Sequence, residues 1–474
     1  MRETARAPIE LAVHAAKWDR HLACSSGWPV CCTGIVINDD INDDRCSDSA
    51  ADALLDSERP IMRSQSRGTG TITVTAATLA ALVLLSGCSS GTSAGGSSVV
   101  APIESVGDTY VVPSDLKGER GRLLGAKAVE FGGDQIGAER RTILYESRNS
   151  HGAPVAVSGT VLIPKGNPPE GGWPVVSWAH GTVGVADRCA PSHRPDMGYP
   201  SYAQYLNGLV QSGYAVVATD YIGLGTPGGH TYMNAVDQKN AVEDIVPAAR
   251  ALDPRLSQKW FVSGHSQGGA AALEATWSED GASIADRPAA TIALAPGNNL
   301  GPGLERFAAG GDTHPVRALY FMYGILGMEA TGPDIGVDGL LSGAGEHFKQ
   351  QVSGTCLFDD PMPFSSPDPQ SLFKTPRDAG AWDAAIRRAS EYGNPDQKPA
   401  NGPVLVITGS DDLDVPAAGT HALVATLRSQ HGDIEELVVP GEDHEQPVNS
   451  TFCSQLRFLA GHGGVKLSGP CAGS

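Results

Sequence analysis

The sequence predicts an α/β fold, with a mostly parallel central sheet, helices on both faces and an inserted cap domain. Short apolar runs, which are typical of buried strands, alternate along the chain with segments of helical periodicity such as Ala235–Leu252. Strands that alternate with helices pair in parallel. The alternation stops after residue 296 and resumes at Pro403, and the intervening residues 297–400 are rich in Gly and Pro, which indicates an insertion.

Each strand is predicted from its own composition. Residues 142–145 and 155–163 form a predicted hairpin, because turn residues at 149–152 separate them and Pro164 ends the second strand. Residues 174–179 are a strongly apolar run, so we expect them to form a strand at the centre of the sheet. Further buried strands are predicted at residues 214–220, 260–263, 291–295, 403–409 and 437–440.

The composition limits the possible partners. The chain has 474 residues, of which 41% are hydrophobic and 18% charged, enough for a large core. Its formal net charge is −19 and its basic residues are not clustered, so nucleic acid is not an expected partner. Neither a Cys-x-x-Cys pair nor a cluster of His and Cys indicates a metal, and we expect no cofactor.

Residues 1–61 differ from the rest of the chain. They contain four cysteines and show no sustained helical or strand period, so we expect a disordered extension. Residues 62–87 resemble a signal peptide, with basic residues first and an apolar stretch at 71–85. A signal peptide acts at an N-terminus, whereas this segment begins 62 residues into the chain. We therefore expect that residues 1–61 come from a start codon assigned too far upstream.

Leu85-Ser86-Gly87-Cys88 resembles the lipobox of bacterial lipoproteins. The resemblance implies cleavage before Cys88 and a diacylglyceryl group on its sulfur, and hence an extracytoplasmic protein that is anchored to the membrane or secreted. Residues 88–105, which begin with a Gly/Ser-rich stretch, are the expected tether. The alternative is a signal anchor that stays in the membrane as a helix, for which the apolar stretch is short.

The motif Gly264-His265-Ser266-Gln267-Gly268 follows a predicted strand and precedes an alanine-rich helix. Strand, tight turn and helix form the context of a nucleophile elbow, in which a serine hydroxyl projects from the sheet. Glycines two positions before and after the serine let the backbone approach closely, since they lack a Cβ atom. The N–H of Gln267 opens the helix and is a candidate donor to an oxyanion. The alternative interpretation is an ordinary Gly/Ser turn.

His180-Gly181-Thr182 follows the predicted central strand. A His-Gly pair at this position, upstream of a nucleophile elbow, is where a second oxyanion donor lies in hydrolases of this architecture. We assign that donor to the backbone N–H of Thr182. His180 is expected to brace the loop rather than to transfer protons, and a plain Gly-rich turn is the alternative.

An acid and a histidine follow two later strands, so we expect their side chains to converge with Ser266 at one edge of the sheet. Asp412 stands three residues after the glycine that ends its strand and is the candidate acid. Asp411 and Asp414 are the alternatives, and are otherwise expected to be solvated or to cap the next helix. His444 directly follows the last predicted strand and is the candidate base. The other histidines considered are His421, His431 and His462.

Four cysteines lie beyond residue 88, and an even number in an exported protein suggests two disulfides. Three pairings are possible. We favour Cys453–Cys471, which closes a short C-terminal loop, and Cys189–Cys356, which would tie the region after the oxyanion loop to the insertion. Free buried thiols are the alternative.

These motifs together resemble those of the secretory lipase family of α/β-hydrolases. The resemblance extends from the region of Val111 to the C-terminus and rests on residues 179–182, 189–192 and 264–269 and on the loops of Asp412 and His444. It implies an exported enzyme that hydrolyses acylglycerols and simpler esters, with a cap inserted before the acid loop. Family members can link the cap cysteine to the one after the oxyanion loop, which supports the Cys189–Cys356 pairing.

We accordingly divide this part of the chain into a hydrolase core at residues 106–296 and 401–474 and a cap at 297–400. The expected function is that of a serine hydrolase acting on ester substrates through a covalent acyl-enzyme, as a monomer. A peptidase or acyl-aminopeptidase, a short-chain esterase and a lipoprotein that binds lipid without turnover are the alternatives. The apolar segment 319–328 could line an acyl pocket or form the cap's own core.

Overall fold

The computed structural model describes residues 110–472, except 130–137, 278–286, 312–313, 315, 333–336, 338, 359–366, 393–401 and 431. The expectations for the extension 1–61, the signal peptide 62–87, Cys88 and the tether 88–105 lie outside the described residues. Among the helices that are described, none is long and apolar enough to cross a membrane.

Nine strands of the described chain form one sheet, in the order β1-β2-β3-β5-β4-β6-β7-β8-β9. They are β1 (Leu123–Ala128), β2 (Ala138–Arg148), β3 (Pro154–Pro164), β4 (Trp173–Ala179), β5 (Ala215–Thr219), β6 (Leu256–His265), β7 (Thr291–Leu294), β8 (Pro403–Gly409) and β9 (Asp433–Val439). The first three strands and the β3–β5 pair are antiparallel, and all pairs from β5 to β9 are parallel. The predicted mostly parallel sheet is confirmed, and β4 is its middle strand.

The described helices are α1 (Pro200–Gln211), α2 (Ala235–Leu252), α3 (Gln267–Ala275), α4 (Leu300–Ala308), α5 (Arg317–Thr331), α6 (Gly343–Ser353), α7 (Ala379–Tyr392), α8 (Ala417–Ser429), α9 (Pro447–Ser450) and α10 (Phe452–Gly461). Short 3-10 helices occur at Asp187–Cys189, Pro191–His193, Pro369–Leu372 and Gly469–Ala472. Helix α2 has its predicted bounds, and the Asn234 side chain caps it by accepting a hydrogen bond from the N–H of Asp237.

Helices cover both faces of the sheet because successive strand residues point to opposite sides. Val175 packs in a core with the apolar side of α2, including Ile245. Its neighbour Val176 packs in a second core with Leu209 of α1 and Leu459 of α10. The uninterrupted apolar runs of the central strands follow from this burial on both faces.

Helices α4 to α7 lie between β7 and β8, where the sequence predicts the insertion. Aromatic side chains join them: the ring centroids of Phe307 and Phe321 are 4.9 Å apart, and those of Phe373 and Trp382 are 5.2 Å apart. The same hydrophobic core includes Leu209 and Val176 on one face of the sheet. The insertion therefore packs on the sheet domain through apolar contacts.

Some predicted boundaries are wrong. Strand β9 begins at Asp433, four residues before the predicted start, and β6 begins at Leu256 rather than at residue 260. Both early segments carry polar residues, so they do not appear as part of an apolar run. In β9 they are tolerated because it is an edge strand with exposed positions such as Asp433 and Glu435. In the early part of β6 only Leu256 pairs, with Trp173, and the next residues are partly or fully exposed.

Candidate active site

Ser266 lies between the end of β6 and the first residue of α3, with φ 57° and ψ −117°. This left-handed conformation is rare for a residue with a side chain and marks a strained turn. A Cβ atom at Gly264 would collide with the carbonyl oxygen of Gly268, and one at Gly268 with that of Ala179. The two glycines of the motif are therefore required by close backbone approach, as the sequence predicts.

Asp412 and His444 lie in contact, although they are far apart in sequence. Nδ1 of His444 is 2.7 Å from Oδ2 of Asp412, and both side chains are buried. The other oxygen of Asp412 accepts hydrogen bonds from the backbone N–H groups of Asp414 (2.9 Å) and Val415 (2.8 Å). Burial disfavours the charged imidazole, but the hydrogen bond and negative charge of Asp412 raise the pKa of His444 above its ordinary value.

His265 joins the serine turn to the loop of His444. Its Nε2 is 2.9 Å from the carbonyl oxygen of His444, so Nε2 carries the proton and donates it. Its Nδ1 then accepts from the hydroxyl of Tyr202 at 2.7 Å, and that hydroxyl accepts from the N–H of Gly181 at 2.9 Å. One buried hydrogen-bond chain thus connects the loop after β4, the serine turn and the histidine loop.

Two backbone N–H groups are available beside Ser266. Both Thr182 and Gln267 line the same cavity as the serine. Gln267 is the first residue of α3, and N–H groups in the first turn of a helix have no intrahelical partner. In the part of the chain that the structure describes, the N–H of Thr182 donates no hydrogen bond.

His180 is fully enclosed next to these groups. Its Nδ1 is 2.6 Å from the carbonyl oxygen of Gly181 and its Nε2 is 3.4 Å from that of Asp220. Burial lowers the pKa of His180 to about 4. The neutral ring therefore contacts backbone atoms of two loops. These contacts are consistent with the predicted bracing role.

A cavity of about 450 Å³ adjoins Ser266. Apolar side chains from both the sheet domain and the insertion line it, together with some polar groups. The lining side chains include Tyr232, Met233, Leu300, Tyr320, Phe321 and Val415, and the polar groups Asn298, Asn299, Arg306, Arg317 and Asp414. The apolar segment 319–328 lies within α5. Tyr320 and Phe321 line the cavity, whereas Met322 and Ile325 are buried in the core.

The alternative acids lie in other environments. Asp411 is exposed, and its Oδ1 accepts a hydrogen bond from Ser410 at 2.8 Å. Asp414 borders the cavity, with Oδ1 3.6 Å from Nδ1 of His314. Neither caps the following helix, because α8 begins after Pro416 without a side-chain cap, so that part of the expectation is wrong.

Two of the three alternative histidines lie among the described residues, and both contact groups other than Asp412. His421 is exposed and its Nδ1 is 2.5 Å from Oε1 of Glu436. His462 donates from Nδ1 to the carbonyl oxygen of Phe458 at 2.8 Å. His431 lies outside the described residues.

The structure contains both disulfides that the sequence analysis favours, Cys189–Cys356 and Cys453–Cys471. The first ties the insertion to the loop that carries Thr182: Gly184 and Cys356 form a β-bridge, and the N–H of Leu357 donates to the carbonyl oxygen of Val183 at 2.9 Å. This disulfide therefore fixes a backbone segment that begins one residue after Thr182.

We expect loss of the Cys189–Cys356 disulfide to affect both stability and turnover. A variant with both cysteines changed to serine should lose about 2–5 kcal/mol of unfolding free energy, because the disulfide closes a long loop in the unfolded chain. Its kcat should also fall, because the loop of Thr182 loosens. Denaturant unfolding and ester kinetics measure the two effects. The matched variant without Cys453–Cys471 should keep its kcat, and a kcat loss in this control alone would contradict the expectation.

The sheet order, the strained serine turn and the insertion before β8 are those of an α/β-hydrolase, which confirms the predicted fold class. The model of the serine aminopeptidase family S33 matches residues 192–446, and the chain belongs to this family. No curated protein sequence matches the chain significantly.

Solved structures share the fold. Candida antarctica lipase A in its closed state is 18% identical, with a TM-score of 0.64 over 75% of this chain and 85% of that one. The rice cell wall degrading esterase LipA from Xanthomonas oryzae is 20% identical, with a TM-score of 0.56 over 73% of this chain and 97% of that one. At such identities the likeness establishes the fold.

Proposed function

We propose that the chain is a serine hydrolase of carboxylic esters, of lipase or carboxylesterase type. Ser266 is the nucleophile, His444 the general base and Asp412 the acid that orients it. The observation that carries the proposal is Ser266 in its strained turn at the wall of a largely apolar cavity, with a buried His444–Asp412 pair at 2.7 Å on the loops after β8 and β9.

The reaction proceeds through a covalent acyl-enzyme. His444 takes the proton from Oγ of Ser266 as that oxygen attacks the ester carbonyl carbon. The N–H groups of Gln267 and Thr182 hold the negative oxygen of the tetrahedral intermediate. His444 then protonates the leaving alcohol, and a water molecule, deprotonated by the same imidazole, releases the acid. Asp412 keeps the proton on Nδ1 of His444 and stabilises the charged ring.

The apolar lining of the cavity suits the acyl group of an ester substrate. Tyr232, Met233 and Leu300 contribute apolar walls, and Tyr320 and Phe321 extend them from the insertion. A volume of about 450 Å³ falls in the usual range for a small-molecule site. Acylglycerols and simpler esters are therefore the proposed substrates, in line with the lipase and esterase names of the similar structures.

An aminopeptidase is the second candidate, since the matching family model carries that description. Such an enzyme needs an anion for the substrate's ammonium group, and the carboxylate of Asp414 borders the cavity. Arg306 and Arg317 border it as well, and Nη1 of Arg317 donates to the backbone oxygen of Asp414 at 2.6 Å. These cations weaken the case for an ammonium site, so we favour the ester hydrolase.

We also propose that the protein is exported, because disulfides persist mainly in oxidising compartments. A lipid anchor on Cys88 is proposed on the strength of the lipobox-like residues alone. No bound partner beyond the substrate and the membrane is proposed, and the working unit is taken to be a monomer.

Hydrolysis of p-nitrophenyl esters from acetate to palmitate, beside aminoacyl p-nitroanilides, tests the proposed substrate class. We expect turnover of the esters and little turnover of the anilides, because the cavity is mostly apolar. A rate maximum at long acyl chains would identify a lipase, and one at short chains an esterase. Faster turnover of the anilides than of any ester would contradict the proposal and favour the aminopeptidase.

A further inference from the structure

The β5–α2 loop (residues 220–234) contacts Thr182 and Gln267, which line the same cavity as Ser266. The hydroxyl of Tyr232 is 2.7 Å from Oγ1 of Thr182. Nε2 of His230 is 3.3 Å from the side-chain nitrogen Nε2 of Gln267. Thr182 and Gln267 lie in different segments of the chain, so this one loop connects the two proposed oxyanion donors.

The direction of the His230 contact follows from its second partner. Nδ1 of His230 is 3.0 Å from the carbonyl oxygen of Ile222, which only accepts, so Nδ1 carries the proton. Nε2 is then an acceptor, and the amide of Gln267 donates to it. Burial lowers the pKa of His230 to about 4, which keeps the ring neutral near neutral pH.

Several contacts hold the loop in place. Its first and last parts contain residues with positive φ, Tyr221 at 69° and Met233 at 63°. The Tyr221 ring stacks on His230 at an interplanar angle of 12°, and its hydroxyl donates to the carbonyl oxygen of His180 at 3.0 Å. Helix α5 of the insertion presses on the loop from outside, since a Cβ at Gly327 would collide with the backbone of Tyr232. Such over-determined loops can fix a site precisely enough for catalysis.

We propose that Tyr232 and His230 are positioning residues that hold Thr182 and Gln267, and with them both oxyanion donors, in the geometry of the transition state. The proposal rests on the proposed function, in which those two N–H groups bind the oxyanion. Donors of this kind act only at the position that the oxyanion will occupy. A small displacement of either residue therefore lowers kcat more than it alters substrate binding.

The Tyr232→Phe variant tests the first contact. We expect kcat to fall about tenfold, less than the hundred- to thousandfold that the loss of a whole donor costs, with KM changed by less than about twofold. Thr182→Val removes the other hydroxyl but keeps the backbone N–H, so it should give the same loss. The double variant should be no slower than either single variant, because each single variant already removes the same hydrogen bond.

Tyr205→Phe is the matched control, since the Tyr205 hydroxyl makes a similar buried hydrogen bond to Oγ of Ser263 at 2.9 Å. We expect it to keep its kcat. An equal loss of kcat in Tyr205→Phe, or additive losses in the double variant, would overturn the role of Tyr232.

Two substitutions of His230 separate positioning from simple support of the loop. Gln at this position can offer an oxygen where Nε2 accepts, whereas Asn can only replace the Nδ1 contact to Ile222. If His230 holds Gln267, His230→Gln should retain several times the kcat of His230→Asn, with similar melting temperatures. The reverse order of kcat would overturn its positioning role. A wild-type chain without ester turnover would overturn the proposed function, and this proposal with it.

Discussion

The Ser266→Ala variant is expected to lose ester turnover by a factor on the order of a millionfold, as serine hydrolases do when the nucleophile is removed. The loss follows because the hydroxyl of Ser266 supplies the attacking oxygen at the strained turn, and alanine leaves no nucleophile there. The fold should be unaffected, since alanine differs from serine only by the hydroxyl. Initial rates on a p-nitrophenyl ester measure the effect.

Ser263→Ala is the matched control for this change. Ser263 lies three residues upstream in β6, and its buried Oγ contacts Tyr205 rather than the cavity. We expect it to retain most of the wild-type rate. Retained turnover in Ser266→Ala, with the fold intact by circular dichroism, would refute the nucleophile assignment.

The Asp412→Asn variant is expected to have the second largest effect, a fall in kcat of about ten thousandfold. Asparagine can present a donor to Nδ1 of His444, which would stabilise the wrong tautomer and leave Nε2 protonated. The variant also removes the charge that raises the pKa of His444. The rate must be measured over a range of pH to separate the two effects.

The direction in which the pH profile shifts in Asp412→Asn tests the pairing of Asp412 with His444. His444 acts as a base only when neutral, so wild-type activity falls as the pH drops through its pKa. Without the Asp412 charge that pKa is lower, and the acid limb of the residual activity should move to lower pH. Asp411→Asn changes an exposed side chain in the same loop, so it should alter neither kcat nor the acid limb of the pH profile. An acid limb that stays in place in Asp412→Asn would contradict the pairing of Asp412 with His444.

The parts of the fold that local physics determines can be predicted from the sequence. Central strands such as β4 are buried on both faces, so they appear as apolar runs. The serine turn needs glycine on both sides, and the structure displays the backbone approach that requires it. The candidate acid and base also follow strands, and the structure brings Asp412 and His444 into contact.

The remaining features depend on contacts between distant segments, which composition does not encode. The chain through His265 and Tyr202 links residues 63 positions apart, and Tyr202 lies on α1, a helix that the sequence analysis missed. The only local signal was a histidine inside the serine motif. Strand β1 was missed as well, because its half-exposed residues from Leu123 to Ala128 lack an apolar run. The insertion's helices were missed for a related reason, since Gly and Pro hide their periodicity.

Covalent labelling with a fluorophosphonate, followed by mass spectrometry of the digested protein, tests the central claim that Ser266 is an activated nucleophile. We predict one adduct, on the peptide that contains Ser266, and no adduct in Ser266→Ala. The adduct should form slowly in Asp412→Asn, because the imidazole is held less well. An adduct on a different residue, or an unlabelled wild-type protein, would contradict the assignment of this site.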